Sequence, residues 1–476
     1  MTAGCTRNDR LPHDPITERF AHLVRAQPEA PLVCRPDRTA TRAEIDTQAG
    51  ALADMLSRQL PTDGLIALVA PNGPAFLIGF LAVLRVRLPA VLLDPLSPER
   101  ERHALARALG AGAIVHTSCS WPEDPSVWQV QPQHRTPRSL PGIGVVKLTS
   151  GSTGQPRGVA TRPATLLADV LALNRAMQLT AADRLLTTLP LGFSYGLSSL
   201  AVSALACGQT LVLPDGDHPL APMQAAEALQ ATFFPSVPAF LQGLCSLAPR
   251  YALPASLRLV VSAGAPMPTG VACEFRQRFG QPVHVFYGAS ECGGICYDRA
   301  GSAAERGTVG PPIEGVEVDI TADGSVRVRS DAVGDGYLDA GGSTAFDGVF
   351  ASGDLACWQD GELRLCGRRS QFINVGGRKV DPCEVEAVIA TLLGVDEVLV
   401  TGRSTKRGTS EACWAIVASA AGHLTRAAVL QHCRQHLAPH KVPRLVTLVD
   451  SLPRNNRGKV DLAALARSRH TGARLQ

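Results

Sequence analysis

Residues 148–158 read Leu-Thr-Ser-Gly-Ser-Thr-Gly-Gln-Pro-Arg-Gly and follow an apolar strand at 144–148. Thr149, Ser150, Ser152 and Thr153 supply small hydroxyls, and Gly151 and Gly154 remove Cβ atoms. Such a loop brings backbone N–H and side-chain O–H donors close to a polyphosphate. Arg157 adds a fixed positive charge. The GxxxxGK[ST] spacing of a Walker A loop is absent. A second segment, 285–291, runs Val-Phe-Tyr-Gly-Ala-Ser-Glu. Tyr287 can stack on a base, Gly288 allows close approach, Ser290 can meet a phosphate, and Glu291 can hold Mg²⁺. In a third, 351–355, Asp354 follows a glycine at a strand end, where it can accept both hydroxyls of a ribose. Arg368 precedes a glycine-bearing stretch that contains Gly376, Gly377 and Lys379. Lys459 closes the set in a polar turn, Pro-Arg-Asn-Asn-Arg-Gly-Lys. Taken singly, each piece also reads as an ordinary loop, strand-end turn or solvated lysine.

These residues need a scaffold that gathers strand ends. The chain alternates apolar runs with helical patterns. Strands are expected at 65–70, 89–93 and 113–116, with helices at 51–60, 74–85 and 97–109. The alternation recurs from 145 to 287, with strands at 184–189, 210–213, 231–234, 257–262 and 283–286. Strands alternating with helices of this length predict βαβ units and parallel sheet. From Gly307 short alternating segments are separated by Asp323-Gly324 and Asp360-Gly361, which are hairpin signals. After Gly367 small α/β units return. Asp381-Pro382-x-Glu384 predicts a helix start, continuing to about Leu393. The proline-rich stretch 121–141 reads as a loop. The expected fold class is α/β: a large N-terminal domain, residues 1–369, of two βαβ-type sheet subdomains plus a β-rich subdomain, and a small mobile C-terminal α/β domain, residues 370–476.

Composition narrows the function classes. The 476 residues are 45% hydrophobic and 18% charged, which excludes a disordered chain. The net charge of +4 is too small to imply a nucleic-acid binder. It is uneven, however: residues 370–476 hold 15 basic and 8 acidic side chains, net +7, against −3 for the rest. A basic terminal lobe on a mildly acidic body suits a lid over an anionic ligand. The 13 cysteines contain no CxxC pair, so a disulfide framework or zinc ribbon is not expected. Residues 1–10 lack a secretory apolar region, and the most apolar stretch, 65–96, is interrupted by Pro71, Asn72, Arg85, Arg87 and Asp94. A cytoplasmic protein without a membrane or nucleic-acid partner is expected.

The order and spacing of the five segments resemble the adenylate-forming superfamily, which includes acyl- and aryl-CoA synthetases and stand-alone acid:carrier-protein ligases. Residues 71–74, 93–95 and 262–268 extend the resemblance over nearly the whole chain. It implies attack of a carboxylic acid on the α-phosphate of ATP, followed by displacement of AMP by a thiol. By resemblance, Thr149, Ser150, Gly151, Ser152, Thr153 and Gly154 hold the β- and γ-phosphates. Gly264 and Ala265 line an adenine slot with Tyr287 and Gly288. Ser290 touches the α-phosphate region, and Glu291 holds Mg²⁺. Asp354 and Arg368 fix the ribose, and Lys459 bridges carboxylate and α-phosphate. Ser370 occupies a hinge where the family usually has an acid or a lysine. Gly376, Gly377 and Lys379 form the loop of a pantetheine tunnel. Arg157 stands where lysine is more common, which keeps the charge but not the geometry.

Residues 189–197, Leu-Pro-Leu-Gly-Phe-Ser-Tyr-Gly-Leu, resemble the aromatic gate of acyl- and aryl-CoA synthetases. Phe193, Ser194, Tyr195 and Gly196 are thus expected in the acid pocket. No acidic residue occurs between Pro190 and Cys207, so an α-ammonium would be left unpaired. This favours an aryl or medium-chain acyl acid over an amino acid. CoA is the expected acceptor. The phosphopantetheine of an acyl carrier protein in a biosynthetic pathway, or an amine in an amide-forming ligase, are alternatives, as is a degenerate regulator. A monomer or homodimer is expected. His432 and His436 lack the HExxH glutamate, and Cys292 and Cys296 lack a second ligand pair, so neither pair predicts a metal centre.

Overall fold

The computed structural model describes residues 14–61, 63–133, 136–149, 157–216, 218–247, 251–339, 342–368, 373–375, 378–380, 382–404, 411–419, 424–454 and 460. Contacts divide the chain into two compact units. One comprises Met1–Asp319, Arg327–Ala351 and Trp358–Arg364, the other Ile320–Val326, Ser352–Cys357 and Leu365–Gln476.

The first unit contains two eight-stranded sheets. One runs, edge to edge, Gly293–Tyr297, His284–Ala289, Leu259–Ser262, Phe233–Ser236, Arg184–Leu186, Thr210–Val212, Pro31–Arg35 and Arg38–Thr41. Its six central strands are parallel, and each end is closed by an antiparallel strand. The other runs Gly342–Ala345, Gly336–Asp339, Arg157–Thr161, Val145–Thr149, Ala90–Leu92, Ile66–Val69, Ala113–His116 and Gln129–Pro132. The first is thus built from the expected βαβ units; in the second only Ala113–His116, Ile66–Val69, Ala90–Leu92 and Val145–Thr149 are parallel, and the strands flanking them on both sides pair antiparallel, a departure from the expected parallel sheet.

One apolar core joins the two sheets. It combines Val33, Leu185, Phe233 and Val261 of the first with Leu68, Leu92, Val115 and Val145 of the second. Helix Pro74–Arg85 contributes to this core from every side: residues 74–84 are all buried, as expected of a helix apolar all round. Proline at its first position starts it without needing an amide hydrogen. Helix Pro163–Met177 contributes Leu166, Val170 and Leu173.

Several expectations are corrected in detail. The stretch 121–141 is not only a loop: Gln129–Pro132 is an edge strand, antiparallel to Ala113–His116. The helix that begins at Pro382 ends at Ala390, before Leu393. Thr391 turns its hydroxyl back to the Val388 carbonyl, and Gly394 adopts φ +91°. Glu317–Ile320, Ser325–Arg329, Val349–Gln359 and Glu362–Arg368 form a four-stranded sheet, matching the hairpin-rich texture. In the second unit, Glu397–Ser404, Glu411–Ala418 and Leu445–Val449 make a three-stranded sheet. Helices Pro382–Ala390 and Arg426–His436 pack on it around Val385, Ile389, Val429 and Cys433. The boundary expected at 369/370 falls outside the described residues.

Candidate functional site

In an open parallel sheet, ligands bind in the crevice outside the carboxyl ends of the strands. Three of the chemistry-bearing segments lie there. Residues 189–197 follow strand Arg184–Leu186, residues 264–268 follow Leu259–Ser262, and residues 287–291 complete and follow His284–Ala289. Gly264 and Ala265 are exposed, and Gly264 has φ +82°, which explains a glycine there. Tyr287 is half-buried beside them on the next strand. The register of the antiparallel pair shifts between Tyr287 and Gly288. A Cβ on Gly288 would come within 2.7 Å of the Gly293 carbonyl oxygen.

The second sheet frames the loop expected to hold phosphates. Val145–Thr149 and Arg157–Thr161 are antiparallel, with Thr149 opposite Arg157. The loop residues Ser150, Gly151, Ser152, Thr153 and Gly154 lie outside the described residues, but both their anchors are placed. Gly336–Asp339 pairs with the Arg157 strand, Tyr337 opposite Val159. Side chains alternate across a strand, so Arg157 and Tyr337 share a face as diagonal neighbours. The guanidinium carbon of Arg157 lies 3.6 Å from the centre of the Tyr337 ring. The Tyr337 hydroxyl donates a hydrogen bond to Glu291 Oε1 at 2.7 Å. Burial and the Glu291 carboxylate push the Tyr337 phenol well above its usual value, so it stays protonated and donates. The amide of Gly334 donates to the Glu291 carbonyl at 2.8 Å. Glu291 is therefore tied at side chain and backbone to strand Gly336–Asp339 of the other sheet and to the turn just before it.

The acid-pocket segment is also tied down. Asn72 donates to the Leu189 carbonyl at 3.0 Å and accepts from the Leu191 amide at 2.9 Å. Ser194 donates to Ser290 Oγ at 2.7 Å, joining the acid-pocket segment to the expected α-phosphate residue. Phe193 is half-buried. The Tyr195 ring packs 5.2 Å from Phe286, and its hydroxyl is buried with no hydrogen-bond partner among the described residues. Gly196 ends a short helix, Ser194–Gly196, that continues as a π-helix, Leu197–Val202. An added Cβ on Gly196 would lie 2.1 Å from the Pro190 carbonyl oxygen.

Two charged residues beneath the site were not singled out in the sequence. Lys147, in the strand that leads to the phosphate loop, is only 2% exposed. Burial pushes its ammonium below the usual lysine value, while the carboxylates of Asp169 and Glu291 oppose that shift. Asp169, on helix Pro163–Met177, accepts from Ser198 Oγ at 2.6 Å and from the Gly294 amide at 2.9 Å. A lysine amid Val-Val-Lys-Leu was the signal available for Lys147, because an unpaired charge inside an apolar strand is costly. Asn72, Tyr337 and Asp169 carried no comparable local signal.

Asp354, expected at a strand end, lies instead in the middle of strand Val349–Gln359, because the strand continues through 351–355; it is buried, and Ser352 donates to its carboxylate at 3.0 Å. Arg368 ends strand Glu362–Arg368, and Lys379 lies in strand Arg378–Val380. The side chains of both lie outside the described residues, as do Ser370, Gly376, Gly377 and Lys459. Cys292 and Cys296 are buried thiols whose pKa burial pushes up. His432 meets the Val388 carbonyl and Thr391, an inter-helix contact. Among the described residues no cluster of three metal-binding side chains exists. Mg²⁺ is commonly held by one or two carboxylates together with substrate phosphates. Glu291, with Oε1 engaged by Tyr337, fits that pattern.

Among the described residues no helix is long and apolar enough to cross a membrane. The AMP-binding enzyme family matches residues 20–147 and 144–349, and the AMP-binding enzyme C-terminal domain matches residues 384–459. The chain is 32% identical over 359 residues to an indoleacetate–CoA ligase of Aromatoleum aromaticum, covering 71% of this chain and 68% of that protein. It is 27% identical over 475 residues to a feruloyl-CoA synthase of an Amycolatopsis species, covering 92% and 95%. The solved structure of ATP-bound MatB from Rhodopseudomonas palustris shares the fold, with a TM-score of 0.81 at 22% identity, covering 97% of this chain and 99% of that one. With both parts matched in order, the chain belongs to the AMP-binding enzyme family and is an AMP-forming acid–thiol ligase.

Proposed function

We propose that the chain activates an aryl or medium-chain acyl acid with ATP and passes the acyl group to the thiol of CoA. In the first step a carboxylate oxygen bonds to the α-phosphorus and the bond to pyrophosphate breaks. In the second the thiol sulfur bonds to the acyl carbon and AMP leaves. The observation that carries this reading is the coupling of Arg157, opposite the carboxyl end of strand Val145–Thr149, through Tyr337 to the Glu291 carboxylate just after strand His284–Ala289. Glu291 would hold Mg²⁺, which supplies charge neutralisation between phosphate oxygens. Thr149 and the loop after it would hold the phosphates, and Lys459 would offset charge on the approaching carboxylate.

The acid class rests on charge. Residues 190–207 contain no acid, and the one carboxylate hydrogen-bonded to this stretch among the described residues, Asp169, is committed to Ser198 and Gly294. An α-ammonium thus gains no partner among these groups. The names of the two curated relatives, for indoleacetate and ferulate, support the aryl reading. Pyrophosphate exchange over benzoates, arylacetates, fatty acids and amino acids tests it; strong exchange with an α-amino acid alone would refute the pocket argument. Transfer to a carrier-protein phosphopantetheine is the second reading, because the same thiol chemistry serves both. Replacing CoA with holo carrier protein in a thioester assay separates them. Lys459→Ala should abolish adenylate formation and spare thiol capture of supplied acyl-adenylate.

A further inference from the structure

We propose that Tyr337 is a positioning residue that aims the Glu291 carboxylate at a divalent cation, and that Arg157 acts on that carboxylate through the Tyr337 ring. This rests on the reading of Glu291 as the Mg²⁺ ligand.

The geometry is a chain of three side chains from two sheets. Glu291 follows strand His284–Ala289 of the first sheet, while Tyr337 and Arg157 stand on adjacent strands of the second. The hydroxyl of Tyr337 occupies Glu291 Oε1 at 2.7 Å, which fixes the carboxylate plane and leaves Oε2 for a cation. The Tyr337 ring is itself fixed on two sides. Arg157 lies over its face at 3.6 Å, and Phe346 meets it edge-on at 4.9 Å with planes 87° apart. Phe346 is held in turn by Phe350, 5.2 Å away. The ring therefore has little freedom to swing its hydroxyl away from Glu291. The backbone repeats the connection: the Gly334 amide holds the Glu291 carbonyl at 2.8 Å, and the Asp335 amide holds the Ala160 carbonyl at 2.9 Å. Arginine, and not lysine, at 157 has a physical reason here. A planar guanidinium stacks on an aromatic face, whereas an ammonium is a compact, strongly hydrated charge.

Partners that orient a metal ligand typically change metal affinity about 10–100-fold when removed. Tyr337→Phe keeps the ring, its stack on Arg157 and its contact with Phe346, and removes only the hydroxyl. Mn²⁺ binding would be measured by electron paramagnetic resonance in the presence of α,β-methylene-ATP, beside the Mg²⁺ dependence of pyrophosphate exchange. The expected result is Mn²⁺ affinity weakened about 10–100-fold, a matching rise in the Mg²⁺ requirement, and a kcat that returns toward the parent value at saturating metal. Arg157→Lys should weaken Mn²⁺ binding alone but add nothing to Tyr337→Phe, because its influence passes through the missing hydroxyl. Glu291→Gln is the reference. If it weakens Mn²⁺ binding while Tyr337→Phe binds like the parent, the positioning role is overturned. If Glu291→Gln itself leaves Mn²⁺ binding unchanged, the ligand reading fails, and the proposal with it. Additive effects of Arg157→Lys and Tyr337→Phe would overturn the arginine's part. Thermal unfolding of each variant reports whether it folds; should Tyr337→Phe not fold, parent-like Mn²⁺ binding by Arg157→Lys refutes the arginine's part by itself.

Discussion

Asp169→Asn isolates one charge beneath the candidate site with almost no change of shape. The side chain is 5% exposed. Its carboxylate accepts from Ser198 Oγ and from the Gly294 amide, and its charge opposes the desolvation of Lys147. Asparagine keeps an oxygen for Gly294 and can donate to Ser198, whose hydroxyl rotates to accept. What it loses is charge. Hydrogen bonds to a charged group are worth about 1.5–3 kcal/mol and neutral ones about 0.5–1.5, so two of them forfeit roughly 2 kcal/mol together. The Lys147 ammonium then lacks its chief opposing charge. Among the described residues no hydrogen bond or ion pair joins the two side chains, so the carboxylate acts on the ammonium only through space, and the expected loss is about 2–3 kcal/mol, read as a lower urea midpoint for the full chain. Adding Lys147→Met removes the stranded ammonium and should restore about 1 kcal/mol of it relative to Asp169→Asn alone. The pH response has a defined sign. Burial holds Lys147 below its usual 10.5, so between that lowered value and 10.5 the folded chain binds fewer protons than the unfolded chain. Stability from this site therefore rises with pH across that interval. Asp169→Asn lowers Lys147 further and widens the interval toward neutrality, so the deficit should shrink as pH is raised toward 10.5. Losses that add within about 0.5 kcal/mol in the double variant, or a deficit flat with pH, would refute the coupling.

Other perturbations act on the acid-pocket segment. Tyr195→Phe removes a buried hydroxyl without a partner among the described residues and keeps the ring against Phe286. It should raise stability by about 1–2 kcal/mol, and a lower unfolding temperature would show that the hydroxyl is paired. Gly196→Ala places a Cβ 2.1 Å from the Pro190 carbonyl oxygen. Because the obstacle is backbone, no rotamer relieves it; we expect a loss near the upper end of the roughly 1–3 kcal/mol range for overpacking, with a raised KM for the acid. Asn72→Ala severs the bridge to Leu189 and Leu191. It should cost about 1 kcal/mol of loop order and raise the KM for the acid several-fold, leaving that for ATP unchanged; an equal rise in both would place Asn72 elsewhere in the reaction.

The scaffold was readable where local pattern and burial agree. Helix Pro74–Arg85 appears at its expected bounds, because a proline starts it and an unbroken apolar run fills it. Strand Ala113–His116 likewise matches its short apolar run. The edge strand Gln129–Pro132 was missed, because its burial is shallow and its order comes from a neighbour earlier in the chain. The same division holds at the site. Glu291 was visible as a carboxylate after a strand, but Tyr337, which fixes it, is 46 positions away. Asp169 meets Gly294 across 125 positions and Asn72 meets Leu189 across 117. Motifs mark groups that face a ligand. The groups that hold them in place are selected by contact, and a pattern of neighbours in sequence does not record it.

The charge pattern further divides the work of the proposed reaction. The two cations in strands Val145–Thr149 and Arg157–Thr161 are not open to solvent as free charges: Lys147 is 2% exposed, and Arg157 lies over the Tyr337 ring. A carboxylate and a phosphate oxygen must nevertheless approach. At 4 Å and an effective dielectric of 20, each pair of like unit charges repels by about 4 kcal/mol. A lysine that is 2% exposed and an arginine stacked on a ring leave much of that repulsion in place. In the proposed reaction the charge that removes it would come from groups not spent on the scaffold: the divalent cation that Glu291 would hold, and Lys459. Positioning and neutralisation then belong to different residues, and they fail differently. Damage to Asp169 or Tyr337 should appear as lost stability or a raised metal requirement, both of which added metal or milder conditions can offset. Loss of Lys459 should remove adenylate formation in a way that saturating metal does not restore, because the missing charge acts only as the two anions meet.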